Sequence, residues 1–124
     1  MKTKIETDKA PNAKAFLSQA IATDKLIFVS GQIYSTLDGQ LVGTTVPEKV
    51  KQIMQNISEI LKAANSDLNN VVKVTVYVTD MSQMKELNEV YPTYFSEPYP
   101  AREAVCVKEL PLDATIEISV IAWK

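Results

Sequence analysis

Residues 71–79 read Val-Val-Lys-Val-Thr-Val-Tyr-Val-Thr, and no other stretch limits the fold as strongly. β-Branched residues at a period of two make a strand. Val72, Val74, Val76 and Val78 fall on one face, and Lys73, Thr75, Tyr77 and Thr79 on the other. The segments on either side change to helical period. Before it, Thr45-Val46-Pro47-Glu48 is a helix start: Thr45 caps, Glu48 closes a capping box and Pro47 lies in the first turn. Val46, Val50, Ile53, Met54, Ile57, Ile60, Leu61 and Ala64 then recur at helical spacing, with Lys49, Lys51, Gln52, Gln55, Asn56 and Glu59 on the polar side. Residues 65–67 end this helix. After the strand, Asp80 caps a second helix, with Gln83 reaching back and Met84, Leu87, Tyr91, Tyr94 and Phe95 as its apolar stripe. Pro98 and Pro100 stop it. A strand between two amphipathic helices calls for a sheet with both helices on one face.

The remaining segments add strands. Lys4–Glu6 is a short edge strand in an otherwise extended arm, and residues 16–22 form the next strand. Thr23-Asp24-Lys25 is a turn. Leu26-Ile27-Phe28-Val29 is a continuous apolar run, which reads as a strand buried on both faces. It ends at Ser30-Gly31-Gln32, where Gly31 either permits a close backbone approach or simply terminates the strand. Leu37-Asp38-Gly39-Gln40 is a turn. Residues 101–107 form a strand, residues 110–113 a turn and residues 115–123 the last strand. Strand–helix–strand order implies a right-handed crossover and largely parallel pairing. Tyr77, Ile121 and Trp123 share the face that the helices do not claim, so a partner subunit is expected there.

Length and composition suit one domain over residues 1–124, with 46% apolar residues and a net charge of −2. The lysines are scattered, which speaks against a nucleic-acid surface. Neither a signal peptide nor a membrane span is expected, and the single Cys106 suits a reducing cytoplasm. Histidine is absent, which removes Ser-His-Asp and Cys-His catalysis and the commonest zinc ligand. Acid–base chemistry is left to a carboxylate, tyrosine, lysine, the thiol or water.

Arg102 is the only arginine beside twelve lysines. Its planar fork grips a carboxylate with two bonds, a task lysine does poorly. Near the C-terminus Glu117 shares its strand face with Ile121 and Trp123, which is no ordinary solvent face.

The segments Ala10-Pro11-Asn12-Ala13, Ser18-Gln19-Ala20-Ile21, Ser30-Gly31-Gln32-Ile33, Val72-Lys73-Val74-Thr75-Val76, Asn88-Glu89-Val90-Tyr91, Pro100-Ala101-Arg102, Leu110-Pro111, Asp113 and Ile116-Glu117-Ile118 together resemble the Rid/YjgF (L-PSP) family along the whole chain. The resemblance implies a chorismate-mutase-like α+β fold, a mixed sheet with two helices on one face, assembled as a homotrimer with clefts between subunits. It implies hydrolysis of 2-aminoacrylate and related enamines or imines to 2-keto acids and ammonia, with no metal or cofactor. Arg102 would grip the substrate carboxylate, and Glu117 would position the attacking water. Ser30, Gly31, Asn88 and the backbone near Ala104 would line or support the pocket. Leu17 stands where the family has a tyrosine facing substrate, and Glu103 follows Arg102 where a serine is usual.

The residues also admit plainer roles. Glu117 could pair a lysine, Asn88 could bond backbone, Ser30 could satisfy a strand end, Cys106 could be a small buried apolar residue, and Tyr91, Tyr94 and Phe95 could be core. Two other functions stand beside deamination: a non-catalytic ligand-binding trimer, which Leu17 favours, and an endoribonuclease, which the acidic pI and missing histidine oppose.

Overall fold

A computed structural model describes residues 1–124. Six strands make one mixed sheet: β1 (Thr3–Ile5), β2 (Ala20–Ala22), β3 (Leu26–Gln32), β4 (Val71–Val78), β5 (Ala101–Cys106) and β6 (Ile116–Trp123), in the spatial order β1-β2-β3-β6-β4-β5. Helices α1 (Val46–Ala63) and α2 (Met84–Val90) lie on one face. The core between sheet and helices is built from Val50, Ile53, Ile57, Ile60 and Leu87 against Val74, Val76, Val78, Ile116, Ile118 and Val120, all essentially inaccessible. The other face has no covering layer within the chain: Phe28, Val72, Val105 and Trp123 are exposed there, and Tyr77 and Ile121 are half-buried.

Local signals set the helices. The Thr45 hydroxyl accepts from the Glu48 N–H, and the Glu48 carboxylate accepts from the Thr45 N–H in return. Backbone donors of Thr44 and Thr45 hold that carboxyl at a pKa of about 2. Asn65, at φ 59°, ends α1, and the Ser66 N–H donates to the Leu61 carbonyl. Asp80 caps a short 3₁₀ turn at Met81–Gln83 that leads into α2.

Register corrects several expectations. Only β4–β5 is parallel; β3–β6 and β4–β6 are antiparallel, because the final strand inserts between the two strands that α1 connects. The first strand is Thr3–Ile5. Of residues 16–22 only Ala20–Ala22 are strand, since the N–H groups of Phe16 and Leu17 both turn back to the Ala13 carbonyl. β3 is not buried on both faces: Ile27 and Val29 are buried but Phe28 is 42% exposed. Between Val71 and Lys73 a bulge places two residues opposite one, so Val71 rather than Val72 enters the core. Asn56, on the side of α1 read as polar, is 2% exposed and donates to the Ile33 and Ser35 carbonyls at 3.3 and 2.9 Å. Cys106 is exposed on edge strand β5, not buried.

Candidate active site

A second bulge starts the site. Val29 pairs Val120 and Gln32 pairs Ile118, so β3 spends one extra residue at Ser30–Gly31 against β6. The bulge brings the Gly31 backbone onto Glu117. A Cβ at position 31 would stand 2.8 Å from the Glu117 Cδ and 3.2 Å from its Cγ. Of the two readings of Gly31, close approach is therefore the one realised: a side chain there would occupy the carboxylate's place. Glu117 is half-buried, and burial raises its carboxyl above the ordinary glutamate value. It forms no ion pair, so the lysine-partner reading does not hold.

Two buried amides shape the wall beside this glutamate. Gln19, 1% exposed, accepts from the Thr7 N–H at 2.8 Å and donates to the carbonyls of Thr7, Ala10 and Pro11. It pins the N-terminal arm across the end of β3. Asn56 holds the chain leaving β3 from the other side. Between arm and loop lies a cleft of about 380 Å³, lined among others by Pro11, Ala13, Leu17, Ser30, Gly31 and Leu37. Leu17, Ser30 and Gly31 are thus brought together as expected. Ser30 also satisfies backbone: its hydroxyl donates to the Ser18 carbonyl at 2.6 Å.

Arg102 lies elsewhere. On β5 it is in register with Val74, whose side chain faces the helices, so Arg102 points to the helix side. Its Nη1 donates to Asn88 Oδ1 at 2.8 Å, and its guanidinium carbon stands 4.8 Å over the Tyr91 ring. Asn88 and Tyr91, three residues apart, share one side of α2 and its continuation. Asn88 therefore bonds the arginine, not backbone. None of the ion pairs in the chain includes Arg102, although Glu103 beside it pairs with Lys73 at 2.8 Å. Ala104 follows on the same face of β5.

The two charged groups do not meet within one chain. Glu117 lies opposite Tyr77, which lies beside Val105, three residues from Arg102. Strand spacing and rise put the two Cα atoms about 14 Å apart, with side chains on opposite faces. The sequence names Leu17, Ser30, Gly31, Glu117, Arg102, Asn88 and Ala104 as one site; within the chain Leu17, Ser30 and Gly31 line one cleft, Glu117 lies against Gly31, and Arg102 with Asn88 stands apart from them. Gln19 and Asn56 are supports that the sequence did not single out. The only available signal was an amide within an otherwise apolar or motif-bearing run.

Comparison with known proteins places the chain in a family. The sequence model described as endoribonuclease L-PSP matches residues 7–124. The chain is 47% identical over 119 residues to a 2-iminobutanoate/2-iminopropanoate deaminase of Mus musculus, covering 95% of this chain and 88% of that protein. It is 44% identical over 125 residues to a RutC family protein of Pyrococcus horikoshii, covering 100% and 99%. Among solved structures, yeast Mmf1 superposes with a TM-score of 0.95 at 41% identity, covering 100% of this chain and 99% of that one. E. coli TdcF with bound serine superposes with a TM-score of 0.90 at 30% identity, covering 98% of each.

Proposed function

Since the chain belongs to the Rid/YjgF family, whose sequence model is described as endoribonuclease L-PSP, we propose that it is an enamine/imine deaminase. It converts 2-aminoacrylate and related 2-enamino or 2-imino acids to 2-keto acids and ammonia, as a single-domain trimer without metal or cofactor. The observation that carries this reading is an arginine held by neutral groups alone. Arg102 rests on Asn88 and Tyr91 and has no carboxylate of its own. Its charge is left for one that arrives with the substrate.

The chemistry needs little more. The enamine takes a proton on its terminal carbon and becomes an iminium. Water then bonds C2, and the C–N bond breaks as the hydroxyl oxygen forms the carbonyl, its proton leaving with ammonia as ammonium. Glu117 accepts a proton from the attacking water and returns one toward the departing nitrogen. A carboxyl raised by burial suits both steps at neutral pH better than an ordinary glutamate would. The Gly31 backbone is close enough to orient the nitrogen.

Arg102 and Glu117 about 14 Å apart cannot hold one small molecule. A second copy of the chain completes each cleft, its Arg102 facing the Glu117 and Gly31 of the first. Phe28, Tyr77, Val105, Ile121 and Trp123 supply the apolar surface for that contact. Lighter than three chains at micromolar concentration, by scattering or ultracentrifugation, the protein would not fit this reading.

The test of activity is a competition. A serine dehydratase generates 2-aminoacrylate, semicarbazide traps it, and the protein should divert the flux to pyruvate. Keto-acid binding without diversion would instead support the ligand-binding reading. Salt-sensitive RNA binding with cleavage would support the ribonuclease.

A further inference from the structure

The arginine's platform is a tyrosine that the fold already uses as core. Tyr91 is 6% exposed, and its ring packs against Phe95 with centroids 4.9 Å apart. Its hydroxyl is buried and has no hydrogen-bond partner. A ring serving the core alone would do better as phenylalanine, because an unmatched buried hydroxyl is destabilising. The same ring lies beneath the guanidinium of the chain's only arginine at 4.8 Å. Arg102 stands on an exposed edge strand, where a long side chain is otherwise free to sample many rotamers. It has two points of restraint: Asn88, which takes one N–H of Nη1, and the Tyr91 face, which fixes the side from which the fork can be approached. Asn88 leaves the remaining donors of the fork unengaged.

We propose that Tyr91 is a positioning residue for substrate recognition: its ring holds the Arg102 guanidinium in place over its face, so that a 2-keto or 2-imino carboxylate meets a preformed two-point fork. This rests on the reading of Arg102 as the carboxylate grip, and it deepens that reading by naming what preorganises it. The ring acts and the hydroxyl does not. Burial raises the phenol's pKa, and the Arg102 charge opposes that rise only in part, so the group stays neutral at physiological pH.

A single arginine makes the test direct. Its Nε–H and Cδ–H₂ signals overlap with those of no other arginine in an NMR spectrum. In the parent, with no ligand, ring current from Tyr91 should shift them upfield of their random-coil positions. Random-coil shifts in the folded parent would overturn the inference without any variant. Tyr91→Phe should keep the shift, melt no lower than the parent and bind 2-oxobutanoate within about twofold of it. Tyr91→Leu should lose the shift and weaken 2-oxobutanoate binding by about 3–30-fold, the range of an aromatic–cation contact. Its KM should rise while kcat at saturation changes less. If the leucine variant melts out, Tyr91→Met fills the same space flexibly and reads the same loss. Folded leucine or methionine variants with parental affinity would refute the proposal, as would a phenylalanine variant as impaired as leucine. Binding by calorimetry needs no turnover. A parent that binds 2-oxobutanoate but does not deaminate would therefore defeat the deaminase reading and leave the platform standing. A parent that binds no keto acid would defeat both.

Discussion

The two halves of the site are built on opposite plans. The glutamate half sits at the centre of the sheet: Glu117 is on β6, flanked by β3 and β4, half-buried, with a bulge pressing the Gly31 backbone against it. Gln19 and Asn56, both buried, fix the walls with hydrogen bonds to backbone. The arginine half sits at the sheet's edge: Arg102 is exposed on β5 and restrained by side chains of α2 and the turn that continues it. A base needs a shifted pKa, which burial supplies. A cation that captures a carboxylate needs access and a fixed orientation, which an edge strand and a stacked ring supply. Within one chain the two groups lie about 14 Å apart on opposite faces, and the proposed reading joins the halves between copies.

The largest expected effect comes from removing the exposed half. Arg102→Ala should lower kcat/KM at least about thirtyfold. Truncating one partner of a hydrogen-bonded charge pair costs roughly 2–5 kcal/mol. Circular dichroism and mass should be parental, because the side chain is exposed and forms no ion pair. Arg102→Lys should recover only part, since a point charge does not reproduce the fork. A well-folded alanine variant with near-parental activity would end the deaminase assignment.

Glu117→Gln breaks the buried half and should act on a different constant. We expect kcat to fall by about 10²-fold, the lower end for loss of a general base, with KM nearly unchanged. The pH profile gives the sign. Activity needs the carboxylate, so kcat should rise with pH through an inflection above the ordinary glutamate value, and the glutamine variant should lose that limb. Stability runs the other way. A carboxyl whose pKa is raised on folding stabilises the fold at low pH, and that contribution fades as pH rises through the folded value. Mixed oligomers sharpen the comparison further. Arg102→Ala chains co-refolded with Glu117→Gln chains should regain about one quarter of parental activity, the share of clefts drawing both intact residues from different copies. No recovery would place both groups in one chain.

Gly31→Ala probes the seam of the buried half. The added methyl meets the movable end of Glu117, not backbone, so the carboxyl is displaced instead of the strand. Stability should drop by only about 1 kcal/mol. Activity should drop about tenfold, in line with the cost of small misplacements of a catalytic group. A stability loss far larger than the activity loss would mean that Gly31 serves the bulge alone.

What could be read in the sequence follows the range of each interaction. The box at Thr45 and Glu48, the stripe of α1 and the Asp80 cap depend on residues two to four apart, and all are in the structure. The two charged candidates were legible because Arg102 is alone among lysines and Glu117 sits among apolar neighbours. The separation of the two was not. It depends on Arg102 being in register with Val74, and on β6 entering between β3 and β4, pairings 28 or more residues apart along the chain. The exchange of Val72 for Val71 in the core likewise needs a bulge defined by a distant strand. Gln19 and Asn56 were hidden because a buried amide looks, in sequence, like any exposed one.

The smallest expected effect concerns the wall of the glutamate half. Leu17 lines the cleft beside Ser30 and Gly31, in a turn closed on the Ala13 carbonyl, and it is 42% exposed. A larger side chain fits there without entering the core. In the family pattern this position carries a tyrosine, whose hydroxyl can add one hydrogen bond to a bound polar substrate. One neutral hydrogen bond is worth roughly 0.5–1.5 kcal/mol, or about two- to tenfold in rate. Leu17→Tyr should therefore raise kcat/KM on 2-aminoacrylate by that amount and leave the melting temperature where it was. The same variant should do less for an imine with a longer aliphatic side chain, which gains from the leucine what it would gain from the hydroxyl. Trap competition with both substrates, on parent and variant, decides it. A fall on 2-aminoacrylate would show that the arm has been shaped around an apolar substrate, and that the buried half, not the arginine, sets which imines this chain accepts.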